Sequence, residues 1–385
     1  MELQLSSTAL KVAEAMAAGK RMYIEQALDY LVTKGGSDLH LSASSPPLVR
    51  LHGALVPIPG TPELTAEDTA EVLDSFLTDP EKKLEFAQDN EVDFSFELSD
   101  VARFRVNAYR QRGSVSMVLR AIPFAIRTIA ELDLPPVVEK LATEERGLIL
   151  VTGATGSGKS TTLASIIDYI NTNTSKHIVT IEDPIEFLYS NKRSIISQRE
   201  VGVDTASFSR ALRRVLRQDP DVILIGEIRD QETMETALSA AETGHLVLST
   251  LHTLNASETI SRIISLFPPH MQQQARFMLA GTLRGVIAQR LVPSIDGTSR
   301  VPVVETLVST GRVRDLILEP TRAEDLSRVI QEGEYYGMQT FDQALIHRVN
   351  QGLISMDEAL KVANNPSDMK LQAQSSAEPV VPGVV

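Results

Sequence analysis

The segment Gly153-Ala154-Thr155-Gly156-Ser157-Gly158-Lys159-Ser160 fits the pattern G-x-x-x-x-G-K-[ST] and constrains this chain more than anything else in it. Each residue type has a chemical reason. Glycines let the backbone wrap closely around phosphate oxygens, where side chains would intrude. The N–H groups of the following helix start, reaching into Thr161, favour an anion. Lys159 supplies a point charge for the β- and γ-phosphates of ATP, and Ser160 a hydroxyl ligand for Mg²⁺. The pattern has meaning only between a strand and a helix, and both are predicted. Gly147–Thr152 is an apolar run, and Leu163, Ile166, Ile167 and Ile170 lie on one helical face.

The alternation continues downstream, with strands predicted over 177–181, 222–225 and 246–249 and helices over 208–216 and 233–242. Apolar strands alternating with helices mean a parallel sheet covered on both faces. The strand Asp221–Ile225 ends at Gly226-Glu227, and is expected to run beside the phosphate-loop strand. Glu227 would polarise the attacking water. The usual Asp at this strand end is replaced by Gly226, so contact of Glu227 with magnesium would run through water. Two weaker clusters follow the same logic. Glu182-Asp183-Pro184-Ile185-Glu186 follows a strand, where acids also commonly just solvate a strand end. His245 and His252 lie seven apart, on opposite faces of one continuous strand, so they would not share a metal. Each would sense phosphate, or serve structure alone.

Before Pro123 the pattern differs. A helix over 23–33, strands over 38–42, 48–58, 93–97, 102–109 and 115–121, and a helix over 66–76 make an α+β unit with an antiparallel meander. Its segment 103–112 carries Arg103, Arg105, Arg110 and Arg112, either a solvated basic face or trans-acting fingers for a neighbouring subunit's phosphate. Helix 208–216 carries Arg210, Arg213 and Arg214, with Arg217 just beyond it, a set that is either a solvated basic face or functional.

Composition narrows the function classes. With 37 basic and 50 acidic side chains and no tryptophan, a bulk grip on nucleic acid is not expected. No cysteine excludes thiolate metal sites and thiol catalysis. The amino terminus does not read as a secretory signal, and no run reaches the length of a membrane span. A chain without direct membrane insertion is expected. Boundaries are expected at 1–21 (extension), 22–122 (α+β domain), 123–136 (linker), 137–300 (ATPase core), 301–365 (helical region) and 366–385 (disordered tail).

These motifs, in this order, resemble the secretion-superfamily hexameric ATPases, and most closely the type IV pilus twitching-motility retraction ATPases of the PilT/PilU family. The similarity covers about residues 22–364. It adds an aspartate box at 181–187, an atypical Walker B ending at Glu227, a histidine box at 243–253, and the stretches Ser37–Leu41, Pro46–Arg50 and Gly337–Asp342. The resemblance implies a RecA-like P-loop core preceded by a PAS-like domain and followed by carboxy-terminal helices. It implies a ring of six, with Glu227 as catalytic glutamate, Glu186 assisting, and His245 and His252 coupling the phosphate site to movement. Adenosine would sit between the two domains, and Arg105, Arg110 or Arg112 would complete the site. Partners would be a PilT-type paralogue and a PilC-like platform protein, at the cytoplasmic face of the pilus base. Leu318 stands where the PilT-type motif carries a second arginine after Arg314, which points to the accessory, PilU-type branch. A stand-alone motor, a RecA-type translocase and a non-hydrolysing assembly factor are the competing readings.

Overall fold

In the computed structural model the chain forms two compact units, divided between residues 125 and 126. The structure describes residues 24–51, 53–98, 102–122, 126–319 and 325–377. The expected extension over 1–21, the start of the linker and the end of the tail lie outside these residues.

In the first unit, helix α1 (Ile24–Thr33) buries Ile24, Ala27, Leu28 and Leu31 against a six-stranded antiparallel sheet. The strands are β1 (Asp38–Ser42), β2 (Leu48–Leu51), β3 (Ala54–Pro57), β4 (Glu91–Leu98), β5 (Ala102–Gln111) and β6 (Ser114–Ile122), in the order β3-β2-β1-β6-β5-β4. Along β5, Ala102, Phe104, Val106 and Ala108 point inward, as strand alternation requires. Helix α2 (Ala66–Phe76) starts at a capping box between Thr65 and Asp68. Helix α3 (Pro80–Asp89) was not expected. It buries only Phe86, so no apolar period betrays it; Asp79 caps it and Pro80 opens it.

The second unit holds α4 (Val137–Ala142), β7 (Gly147–Thr152), α5 (Lys159–Asn173), β8 (His177–Glu182), β9 (Ile195–Glu200), α6 (Phe208–Val215), β10 (Val222–Ile225), α7 (Gln231–Glu242) and β11 (Leu246–Leu251). It continues with α8 (Ala256–Ser265), α9 (Gln272–Thr282), β12 (Leu283–Pro293), β13 (Arg300–Val308), α10 (Gly311–Leu318), α11 (Asp325–Gln331), α12 (Phe341–Asn350), α13 (Met356–Val362) and α14 (Pro366–Ala377). Seven strands form one sheet in the order β13-β12-β7-β11-β10-β8-β9, parallel except for the β12–β13 pair. Strands β7, β10 and β11 are buried throughout, with apolar clusters on both faces. This is the covered parallel sheet that the alternating pattern demanded, here in a RecA-like P-loop core.

The structure corrects three expectations and adds an unexpected strand. Strand β10 does not run beside β7: the histidine-box strand β11 lies between them, bonded to both. Strand β9 is an edge strand with exposed Ile195 and only one buried residue, Glu200, too weak a pattern to read. Strand β12 follows α9 without a single loop residue, so its apolar run merges with the helical pattern before it. Residues 301–308, expected to begin the helical region, are therefore strand, and the helices start at Gly311. Finally, residues 366–377 are helical rather than disordered. The Asp342 carboxylate accepts from the Asn364 and Asn365 N–H groups (2.8 and 2.9 Å), and Met369 is fully buried beside Phe341 and Leu345. One buried side chain in a polar stretch gave no period to read.

Candidate functional site

The carboxyl ends of the parallel strands gather most of the expected residues. Between β7 and α5 the loop turns through Gly153 (φ 144°), Gly156 (φ 78°) and Gly158 (φ 90°). At Gly153 a Cβ would stand 2.4 Å from the Gln289 carbonyl oxygen, and at Gly158 one would stand 2.7 Å from the Gln289 amide nitrogen. Glycine is therefore needed at position 153 for space as well as for φ, and at position 158 chiefly for φ, since the amide is the far end of a side chain. Lys159 folds back over the loop, its Nζ donating to the carbonyls of Gly153 and Ala154, both at 2.9 Å. Burial pushes its pKa below the usual lysine value, and the Glu227 charge pulls the other way. Ala154, Thr155, Gly156 and Ser160 are exposed, while Thr161 is half-buried. The Ser157 hydroxyl is buried with no hydrogen-bond partner.

Glu227 sits in the turn between β10 and α7. The turn is held on three sides: Gly226 N–H donates to Ile181 O (2.8 Å), the Thr250 hydroxyl to Gly226 O (2.7 Å), and Ile228 N–H to Thr250 O (3.2 Å). Asp230 then caps α7, accepting from Thr233 N–H at 2.9 Å. The Glu227 carboxylate is largely buried, paired with Arg229, and accepts from His252 Nε2–H at 3.1 Å. A Cβ at position 226 would make ordinary contacts at 3.4 Å, so space does not demand glycine there.

The aspartate box divides its acids. Glu182 is buried at the end of β8 and accepts from the Thr180 hydroxyl (2.7 Å), Gln198 (3.3 Å) and Glu186 N–H (3.3 Å). Burial raises its pKa above the ordinary glutamate value despite these donors. Glu186 is exposed, its backbone tied to Glu182.

The two histidines part company. His252 follows the carboxyl end of β11 and meets Glu227. His245 precedes the strand, and its Nδ1–H donates to the Ala240 carbonyl (2.9 Å) at the end of α7. Seven residues of extended chain separate them, roughly 20 Å. Within one chain His245 is not brought to the phosphate loop, because β11 runs straight through the sheet between them. Arg105, Arg110 and Arg112 belong to the first unit. Arg105 is exposed on β5, Arg110 lies 5.3 Å from the Phe86 ring centroid, and Arg112 turns the hairpin with φ 52°.

One site residue escaped the sequence. Gln289 is buried on β12, and its amide oxygen accepts from the Thr162 hydroxyl at 2.6 Å, tying the loop and α5 to the neighbouring strand. A lone amide inside the run Val286–Val292 was the available signal. Glu182 was read only as one acid of the 182–186 cluster, without the anchoring part that its burial gives it. Among the described residues no group of three His, Cys, Asp or Glu could hold a metal alone. A cation here would have to arrive with phosphate oxygens, as Mg²⁺ commonly does. The glycine-lined loop, the Lys159 ammonium and the Ser160 hydroxyl fit that pair. No helix among the described residues is long and apolar enough to cross a membrane.

Comparison with known proteins agrees with this geometry. Residues 73–365 match the family described as Type II/IV secretion system protein. The chain is 43% identical over 357 residues to the type IV pilus ATPase PilU of Pseudomonas aeruginosa, covering 93% of each. It is 45% identical over 347 residues to the type IV pilus retraction ATPase PilT of the same organism, covering 90% of this chain and 100% of that one. The crystal structure of the pilus retraction motor PilT with bound ADP superposes with a TM-score of 0.83 at 46% identity, covering 90% of this chain and 99% of that one.

Proposed function

The chain belongs to the Type II/IV secretion system protein family, and on that premise we propose that it is an ATP-hydrolysing motor for type IV pilus retraction, of the accessory, PilU-type branch. The observation that carries the ATPase reading is Glu227 held by His252 and Arg229 on the same sheet edge as the Lys159 loop. On this reading Lys159 exchanges its two carbonyl partners for the β- and γ-phosphates, and the loop N–H groups from Ala154 to Thr161 cradle the anion. Mg²⁺, held by Ser160 and through water by Glu227, would neutralise charge on the transferring phosphoryl group. Glu227 orients and polarises the attacking water, and His252 keeps its carboxylate aimed. Glu186 assists from the loop anchored on Glu182. Arg105, Arg110 and Arg112 are the candidates to complete the site of a neighbouring subunit in a ring of six. His245 carries no chemistry in this scheme.

The accessory reading rests on α10. Arg314 is exposed there, whereas Leu318 packs half-buried against the main apolar cluster of the second unit. An aliphatic group in that position cannot offer the planar, five-donor fork of an arginine to a partner. We place the ring at the cytoplasmic face of the pilus base, working with a PilT-type paralogue on a PilC-like platform protein. The test is pilus retraction in cells that lack every other retraction ATPase. No retraction by this protein alone, with added force once a PilT-type ring is restored, is the expected result. Robust retraction alone would make it a stand-alone motor, and no effect in either background would remove it from retraction.

A further inference from the structure

Beyond the phosphate loop, the geometry points to a second anion site, for a phosphate-bearing ligand, in the cleft between the end of β9 and helix α6. This cleft has a volume of about 400 Å³ and is lined by Arg199, Arg210, Arg214 and the 202–206 turn. That is the size of a site for a small organic ligand.

Three observations carry the inference. First, the guanidinium groups gather without acids to neutralise them. Among the described residues none of the three forms an ion pair, although the chain as a whole carries a net charge of −13 and Arg213 on the same helix pairs with Glu232. The one carboxylate in the lining, Asp204, faces the chain instead, accepting from Glu200 N–H at 2.8 Å. Second, Arg199 is half-occupied. Its Nη2 donates to the Asp204 carbonyl (3.0 Å), while its Nη1 is buried with no partner. A buried charged donor left unpaired is costly, and an anion in the cleft would satisfy it. Third, the site is built rather than incidental. The turn is closed by Gly202 N–H to Thr205 O (2.7 Å) and Asp204 N–H to Glu200 O (2.8 Å). Helix α6 buries Ala211, Leu212 and Val215, which sets Arg210 and Arg214 on its outer side, one turn apart. Like charges at that spacing repel, so an anion shared between them relieves the helix.

The site is not an annex of the phosphate loop of the same chain. Strands β11, β10 and β8 separate β7 from β9, four inter-strand steps or about 19 Å. That is farther than a triphosphate chain reaches.

The probe is inorganic pyrophosphate, titrated into full-length Lys159→Ala protein so that the phosphate loop does not dominate. We expect saturable binding that weakens with salt and falls at least about tenfold in an added Arg210→Gln/Arg214→Gln pair. Both arginines are exposed, so melting temperature and ring size should hold. Arg214→Lys, keeping charge but losing the planar fork, should weaken binding less than the pair. Sedimentation with vesicles of phosphatidylcholine and phosphatidylglycerol separates the ligand sources. Capture that pyrophosphate competes away identifies a lipid headgroup; pyrophosphate binding without capture identifies a free phosphate compound. No binding to Lys159→Ala protein, or binding indifferent to the arginines, overturns the site. If binding is absent while the arginine pair slows hydrolysis in otherwise wild-type rings, the arginines serve the ring's own nucleotide and the second site is wrong.

Discussion

Strand β11 is flanked by a histidine at each end, and the two ends of the sheet hold them differently. At the carboxyl end His252 donates to the carboxylate of Glu227, whose charge acts on Lys159 of the glycine-lined loop. At the amino end His245 donates to a helix carbonyl, and Gly147 N–H bonds its backbone carbonyl (3.0 Å). Residue type is the same and spacing is short, yet only one of them meets Glu227. In a parallel sheet every strand delivers its last residues to one edge, where helix N-termini and their free N–H groups also collect. Charge chemistry therefore concentrates at that edge, and the opposite edge is left to capping and turns.

The comparison is broken most severely at Lys159. Lys159→Ala removes the ammonium folded over the loop, so hydrolysis should vanish and nucleotide binding weaken in a phosphate-release and binding assay. Near-normal turnover would mean that the carboxyl edge is not the active edge. Glu227→Gln comes next. It keeps shape but not charge, so ATP should still bind while turnover falls by about 10²–10⁴-fold, the range of a lost general base. Loss of binding together with turnover would make Glu227 a structural residue.

The histidines give the sharpest contrast. His252→Ala frees the Glu227 carboxylate on one side, and a misaimed catalytic group costs up to about a hundredfold in kcat. His245→Ala should leave kcat close to wild type and cost about 1 kcal/mol of stability, the worth of one hydrogen bond. Measuring kcat and thermal unfolding for both variants decides it. Equal kcat losses would show that His245 reaches a phosphate site through the ring, as the family resemblance implied.

How much of this was legible in advance follows from the same geometry. The glycine loop between strand and helix and the turn that holds Glu227 were readable because each is written in consecutive residues. The order of the strands was not: β11 lies between β7 and β10, and nothing local in Leu246–Leu251 says so. Gln289 was hidden for a related reason, since it braces the loop from a strand 127 residues beyond Thr162. Of the segments missed, β9, α3 and α14 each bury one or no large apolar side chain that the sequence could flag, whereas the buried strands β12 and β13 were hidden by running on from the helical pattern before them. Periodicity reports burial, and marginal burial leaves no period.

The smallest expected effect tests the inner wall of the active edge. Glu182 is a carboxyl whose folded pKa lies above its unfolded value, because burial outweighs its three donors. Its proton is thus held more tightly in the fold than in the unfolded chain. The stability this contributes is fully present below the unfolded pKa and is lost as pH rises through the folded one. Glu182→Gln carries a group of the same shape that does not titrate. Its amide nitrogen would face the Glu186 N–H, which adds a constant offset of about 1 kcal/mol against the variant. The slope is what isolates the ionisation. Between about pH 5 and pH 8 the wild type should lose melting temperature relative to Glu182→Gln as pH rises. Glu227 and the loop are untouched, so kcat should change far less than in His252→Ala. A difference that is flat across this range, or one in which the wild type gains as pH rises, would mean that Thr180, Gln198 and the Glu186 N–H stabilise an ionised Glu182. The aspartate box would then bring a buried negative charge to the active edge beside Glu227, in place of a neutral anchor.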